Sequence, residues 1–98
     1  MTFNRAKFTE AVVKSGLSMR ELGSLYGVTR QTLYVWLASG HPNHFTLDQW
    51  VGMVTEAILK AVERRLLPFS KNVLRHARNE RIAKMRAALL ETKKTYAR

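Results

Sequence analysis

The stretch LSMRELGSLYGVTRQTLYVWLASGHPN, residues 17–43, decides how this chain folds. Ser18 and Glu21 have the spacing of a capping box, in which each side chain bonds the other residue's backbone N–H at the start of a helix. Gly27 can adopt the positive φ that a sharp turn needs. The pattern therefore predicts a helix that starts after Ser18 and ends near Tyr26, where the chain turns.

A further helix is predicted directly after this turn. In chain order it is the third helix, and the helix that starts after Ser18 is the second. Thr29 can act as its N-cap, and Gly40 and Pro42 stop it. Two helices can cross steeply only where a small residue lies at their contact, and Gly23 fulfils that need. Apolar residues that can anchor the pair to a core are Leu22, Tyr26, Val28, Leu33 and Trp36. This layout is that of a helix-turn-helix over about residues 18–38, and the alternative is an αα-corner that serves only packing.

The chain on either side of this region also has helical spacing. A first helix, ending at Gly16, has one apolar stripe. The stripe consists of Phe8, Ala11 and Val12. An extended fourth helix is predicted from a capping box at Thr46 and Gln49, and nothing breaks it before Pro68.

A fifth, basic helix is predicted from a cap at Ser70 to about Tyr96. Since signals for strands are weak throughout, we expect an all-α fold, a compact bundle of five helices. Residues 1–67 are expected to form the helix-turn-helix domain. Residues 68–98 are expected to form a basic C-terminal arm for oligomerisation or phosphate contact.

The charge of the chain points to polyanionic partners. The 98 residues include 17 lysines and arginines against 7 acidic residues, which gives a net charge of +10. Residues 68–98 contribute nine basic and two acidic side chains, a net charge of +7. Such a field attracts nucleic acid first and an acidic membrane second. A surface that only keeps the protein soluble is the alternative.

Several classes of protein are disfavoured by what the sequence lacks. There is no cysteine, so disulfides and thiolate metal sites are excluded. No apolar run approaches the ~20 residues of a membrane span, and the first residues do not resemble a signal peptide. His41 and His44 have no third ligand nearby, and His76 is distant, so a zinc site is not expected. The sequence has no phosphate loop, nucleophile elbow or paired carboxylates, so we do not expect an enzyme. We also expect no cofactor, no small-molecule ligand and no membrane partner. The expected location is the cytoplasm.

Residues 8–59 resemble the Cro/repressor (Xre-type) helix-turn-helix domains of phage and bacterial regulators. The resemblance is seen in residues 17–43, which include GVTRQTLYVW and the chain after the third helix at Gly40 and Pro42. It also includes the apolar stripe of the first helix and Leu47 at the start of the fourth. It implies a bundle of four or five helices whose third helix enters the major groove of DNA. It also implies dimeric binding and control of transcription.

The sequence departs from the pattern of this family in four places. Gly23 stands where the family usually has alanine, and Met19 stands where glutamine is common. Helix four looks longer than the family norm. The basic segment after Pro68 has no counterpart in the minimal domain.

The third helix is the one that would contact the bases, and we call it the predicted recognition helix. Its outer residues lie on the side opposite Leu33 and Trp36, which face the core. Arg30 can bind guanine O6 and N7 or a phosphate, and Gln31 can bind adenine N6 and N7. The candidate DNA contacts are Thr29, Arg30, Gln31, Thr32, Tyr34 and Val35, with Arg20 and Asn43 as further phosphate candidates. For each of them the alternative is an exposed, solvated side chain.

The predicted C-terminal helix offers further phosphate contacts. Lys71, Arg75 and Arg78 are expected on one face, with Arg81, Lys84 and Arg86 nearby. This face could follow phosphates along DNA, or it could simply be the solvated side of the helix. The helix itself could pack on helix four as an αα-hairpin or form an arm that joins two subunits.

We therefore expect a sequence-specific, double-stranded DNA-binding protein that acts as a homodimer in transcriptional regulation. One alternative is a DNA-binding component of a phage packaging or transposition complex. Another is a protein-interaction module in which the basic helix binds an acidic partner.

Overall fold

The computed structural model describes residues 3–38, 40–42 and 45–96, without the side chains of residues 45, 46 and 93–96. These residues form five α-helices and no strand, so the expected all-helical fold is confirmed. The helices are α1 (Arg5–Lys14), α2 (Met19–Tyr26), α3 (Arg30–Ala38), α4 (Phe45–Glu63) and α5 (Arg75–Tyr96).

The helix starts that the sequence predicts around α2 and α3 are present. The Ser18 hydroxyl accepts the N–H of Glu21 at 3.1 Å, and the Glu21 carboxylate accepts the N–H of Ser18 at 2.9 Å. Thr29 Oγ1 accepts the N–H of Thr32 at 3.2 Å. Between the two helices, Gly27 has a φ of 77°. The short turn between α2 and α3 therefore has the geometry that its residues favour.

The core lies where α1, α2, α3 and α4 meet. The rings of Tyr26 and Trp36 both approach Phe8 edge-on, with centroids 5.6 and 5.9 Å away. Leu22 and Leu33 are fully buried beside them. Edge-to-face contacts of this kind add to the free energy gained from burying the rings.

α4 differs from its predicted bounds at both ends. It begins at Phe45, so Thr46 lies within the helix rather than before it, and the capping box expected there rests on a side chain outside the described part. At its other end, Arg65 has a φ of 63°, and the N–H of Leu66 bonds the carbonyl of Ala61 at 2.8 Å. This left-handed cap ends the helix before Pro68 is reached.

The predicted start of the fifth helix at Ser70 is wrong. The Ser70 hydroxyl accepts the N–H of Asn72 at 3.3 Å, and its carbonyl accepts the N–H of Val73 at 3.0 Å. These two bonds close a short turn, because a serine can hydrogen-bond nearby backbone in a turn as well as at a helix start. α5 begins at Arg75 instead. Lys71 therefore lies in the turn and does not share a helical face with Arg75 and Arg78.

α5 packs along α2, and not on α4 as the first of the two alternatives for this helix had it. Ile82 is only 2% exposed and joins the core from the α5 side. The radius of gyration of the Cα atoms is 12.9 Å, near the ~13 Å typical of a folded domain of 100 residues. The C-terminal segment is thus part of the same packed body as the rest.

The contact between α2 and the turn before α3 generates a prediction about stability. A Cβ atom at Gly23 would lie 2.7 Å from the backbone oxygen of Val28, which leaves no room for the alanine common in the Cro/repressor family. Gly23→Ala should lower the free energy of unfolding by about 1–2 kcal/mol, because overpacking outweighs the ~1 kcal/mol gain in helix propensity. Urea denaturation followed by circular dichroism measures this.

Ser24→Ala is the matched control, since Ser24 is exposed on the same helix. It should keep or slightly raise the stability. A Gly23→Ala variant as stable as Ser24→Ala would mean that the two helices are not in such close contact.

Candidate nucleic-acid interface

The outer face of α3 is exposed along its whole length. Leu33 and Trp36 are 0% and 3% exposed, whereas Tyr34 and Val35 are 57% and 54% exposed. Arg30 and Gln31 are also exposed. Buried and exposed positions follow the helical period, so one side of α3 is anchored in the core. We call the other side, formed by Arg30, Gln31, Tyr34 and Val35, the α3 outer face.

Two threonines mark the beginning of this face. Their hydroxyl groups lie 3.0 Å apart and share a hydrogen bond, while Thr29 Oγ1 also accepts the N–H of Thr32. Thr29 is exposed and Thr32 is half-buried. The first N–H groups of a helix have no carbonyl partner within it and attract anions. Thr29 therefore lies beside a place where a phosphate can bind.

The C-terminal end of α3 is held by Arg5, which the sequence did not single out. Its Nη2 donates to the Gly40 carbonyl at 2.7 Å, and its Nε donates to the Trp36 carbonyl at 3.2 Å. An arginine that binds the last carbonyls of a helix compensates their partial negative charge. Arg5 thus orients the α3 outer face from its far end.

A groove of about 670 Å³ runs between α2 and α5. We call it the α2–α5 groove; its polar walls include Arg20, Ser24, Arg75, Arg78 and Asn79. All of these except Arg78 are exposed. Three of the predicted phosphate candidates, Arg20 on α2 and Arg75 and Arg78 on α5, therefore line the same groove.

Arg78 has a different role from Arg75. Its Nε and Nη2 donate to the two carboxylate oxygens of Glu21 at 2.9 and 2.8 Å. The Arg78 guanidinium also lies over the ring of Phe69, 5.3 Å from its centroid. This bidentate ion pair holds the pKa of Glu21 below its ordinary value and raises the pKa of Arg78. Arg78 thus joins α5 to α2, and its guanidinium is already occupied.

Arg86 lies at the turn before α3. A Cβ atom at Gly27 would be 3.2 Å from Arg86 Nη2, so this guanidinium lies beside the chain that leads into α3. The sequence placed Arg86 only among the basic residues of the C-terminal helix. Nothing in the sequence reveals which α5 residue meets Gly27, because that depends on how two distant helices align.

The remaining predicted positions are placed as follows. Asn43 lies outside the described residues. Lys71 is exposed in the turn before α5. His41 is exposed, and the described ranges contain no group of three or more histidine, cysteine or acidic residues that could hold a metal ion. None of the helices described is both long and apolar enough to cross a membrane.

Comparison of the chain with protein-family models, curated proteins and solved structures finds no match. The site combines an exposed helix face bearing guanidinium, amide, phenol and aliphatic groups with a neighbouring groove rich in arginine.

The ion pair between Arg78 and Glu21 generates a prediction about pH. The pKa of Glu21 in the fold lies below its ordinary value of 4.5, first because Arg78 bonds its carboxylate. The stabilisation is therefore present above the pKa of the unfolded state and is lost as the pH falls through that of the folded state. Arg78→Gln should lower the free energy of unfolding by about 1–2 kcal/mol at neutral pH and by clearly less in acid, near pH 3.

Arg81→Gln is a suitable comparison, since Arg81 also lies over the Phe69 ring, 5.7 Å from its centroid, and forms no ion pair in the part of the chain described. Its effect should be small and the same at both pH values. Urea midpoints measure both variants. An Arg78→Gln cost that does not change with pH would show that Glu21 is not the group concerned.

Proposed function

We propose that this protein binds duplex DNA in a sequence-specific way, with α2 and α3 as a helix-turn-helix and the α3 outer face in the major groove. The observation that carries the proposal is the division of α3 into a buried side and an exposed side. The exposed side bears the side-chain types that recognise base edges, and Leu33 and Trp36 fix its orientation.

The dimensions and chemistry of α3 suit this role. An α-helix with side chains is ~10–12 Å across, and the major groove of B-DNA is ~12 Å wide. Arg30 can donate to guanine O6 and N7, and Gln31 can bond adenine N6 and N7. Val35 offers an apolar contact for a thymine methyl. Thr29 and the free N–H groups at the helix start suit a phosphate.

The role of a transcriptional regulator of the Cro/repressor type follows from the resemblance of residues 8–59 to that family. Regulators of this kind bind as dimers to two half-sites about one helical turn apart, so the operator has two-fold symmetry. We therefore propose a homodimer. The net charge of +10 supplies the general attraction to DNA that brings the protein to its site.

Selection of duplexes from a random library by the full-length protein tests the proposal. We expect an enriched inverted repeat, as a dimeric regulator requires. Retention of duplexes without any enriched sequence would overturn sequence-specific reading and favour a packaging or architectural role. Absence of binding even at low salt would overturn DNA binding altogether.

The α3 outer face generates a prediction about base preference. Gln31→Ala should weaken binding to the selected site by about 1–3 kcal/mol and relax the preference at one or two base pairs, because a bidentate contact to a base is lost. Repeating the selection with the variant measures this.

Gln49→Ala is the matched control, because Gln49 is exposed on α4. It should leave both the affinity and the selected sequence unchanged. An unaltered base preference in Gln31→Ala would remove Gln31 from the residues that read DNA.

A further inference from the structure

The α2–α5 groove has free positive charge that the fold does not use. Arg78 and Glu21 neutralise each other in their ion pair. Arg20 and Arg75, which line the same groove, form no ion pair with any described residue. The groove therefore presents two guanidinium groups that have no ion-pair partner among the described residues, and the Glu21 carboxylate in its lining is compensated by Arg78.

Two contacts fix how α5 lies on α2. Arg78 meets Glu21 near the start of α2, and Arg86 lies at Gly27, directly after its end. α5 therefore runs alongside α2 in the same direction. Arg75 and Arg86 are eleven residues apart in sequence, which corresponds to about 16 Å along a helix. Guanidinium groups that form no ion pair with any described residue, those of Arg75 and Arg86, thus lie near both ends of the exposed side of α2.

This exposed side of α2 faces the space between α3 and α5. Gly23 contacts the turn that leads to α3, and Glu21 contacts α5. At 100° per residue, Arg20 and Ser24 project between these two directions, and both are exposed. The α2–α5 groove therefore lies on the same side of the molecule as the turn at Gly27, where Arg86 lies.

We propose that Arg20 and Arg75 of the α2–α5 groove, together with Arg86 beside Gly27, form a second surface that binds the phosphate backbone of the duplex whose bases α3 reads. This inference rests on the proposed function and extends it to α5. Guanidinium groups bind phosphate oxygens in a bidentate way, and Ser24 and Asn79 add neutral donors within the same groove.

The form of the groove favours a polymer over a small anion. Arg20, Arg75 and Arg86 are exposed, and Arg75 and Arg86 lie about 16 Å apart along α5. A small phosphate compound would instead need several donors converging on one enclosed point. A DNA backbone presents a phosphate at short, regular intervals along each strand. Charges distributed along one side of a helix can therefore each meet a different phosphate.

The salt dependence of binding tests this inference. Arg20→Gln, Arg75→Gln and Arg86→Gln each remove one charge and break no ion pair within the part of the chain that the structure describes, so the fold should persist. Each variant of the proposed homodimer loses two phosphate contacts, one per subunit. The slope of log K against log salt for a duplex should therefore become shallower by about 1.8, at about 0.9 per phosphate contact in B-DNA. The loss of affinity should be similar for all sequences, and the selected site should not change.

Arg64→Gln is the matched control. Arg64 is exposed just after α4, carries the same charge and does not line the groove. Its slope should equal that of the wild-type protein. Circular dichroism melts of all four variants show whether the fold is retained.

The outcomes separate this inference from the proposed function. Slopes that stay unchanged in all three groove variants, while Gln31→Ala alters base preference, would overturn the groove proposal alone. Shallower slopes with no effect of Gln31→Ala would support the groove and overturn base reading by Gln31. A wild-type protein that binds poly-glutamate but no duplex at low salt would overturn both and show an acidic protein partner.

Discussion

Tyr26, the last residue of α2, is the point on which the rest of the structure depends. Its hydroxyl bonds Thr55 at 2.7 Å, and its carbonyl accepts the indole N–H of Trp50 at 2.7 Å, so α2 is joined twice to α4. Its ring lies edge-on to Phe8 of α1 and Trp36 of α3. Burial raises the pKa of the phenol, so the group stays neutral and its hydrogen bond is kept at any ordinary pH.

The parts of the fold that could be predicted from sequence are those set by neighbours along the chain. The capping box of Ser18 and the turn at Gly27 involve residues at most a few positions apart, so their patterns are visible in the sequence. Ser70 shows the limit of such patterns. A serine can cap a helix or close a turn, and the choice depends on where the following segment packs. The partner of α5 could not be predicted for the same reason, since Ile82 could have packed on α4 as well as on α2.

The candidate site also has features that the sequence predicts and features that depend on the packing of distant helices. The exposure of Gln31 and Tyr34 follows from the helical period of α3, because the apolar Leu33 indicates which side of this helix is buried. No helical period predicts that Arg78 forms an ion pair while Arg75 is exposed in the α2–α5 groove. This difference depends on Glu21, which is 57 residues away from Arg78 in sequence, and only the folded chain brings these residues together.

The packing of α5 changes what its basic residues can do. On a flexible tail, arginines would attract DNA through their charge, but binding would also fix the backbone of each ordered residue, at a cost of about 1–2 kcal/mol per residue. On α5 the backbone is already held to α2 by Ile82 and by the ion pair of Arg78. The positions of Arg75 and Arg86 relative to α3 are therefore set before any ligand arrives. Glu21 thus both caps α2 and aligns the arginines of a distant helix with the face of α3, which joins the stability of the fold to the geometry of the proposed interface.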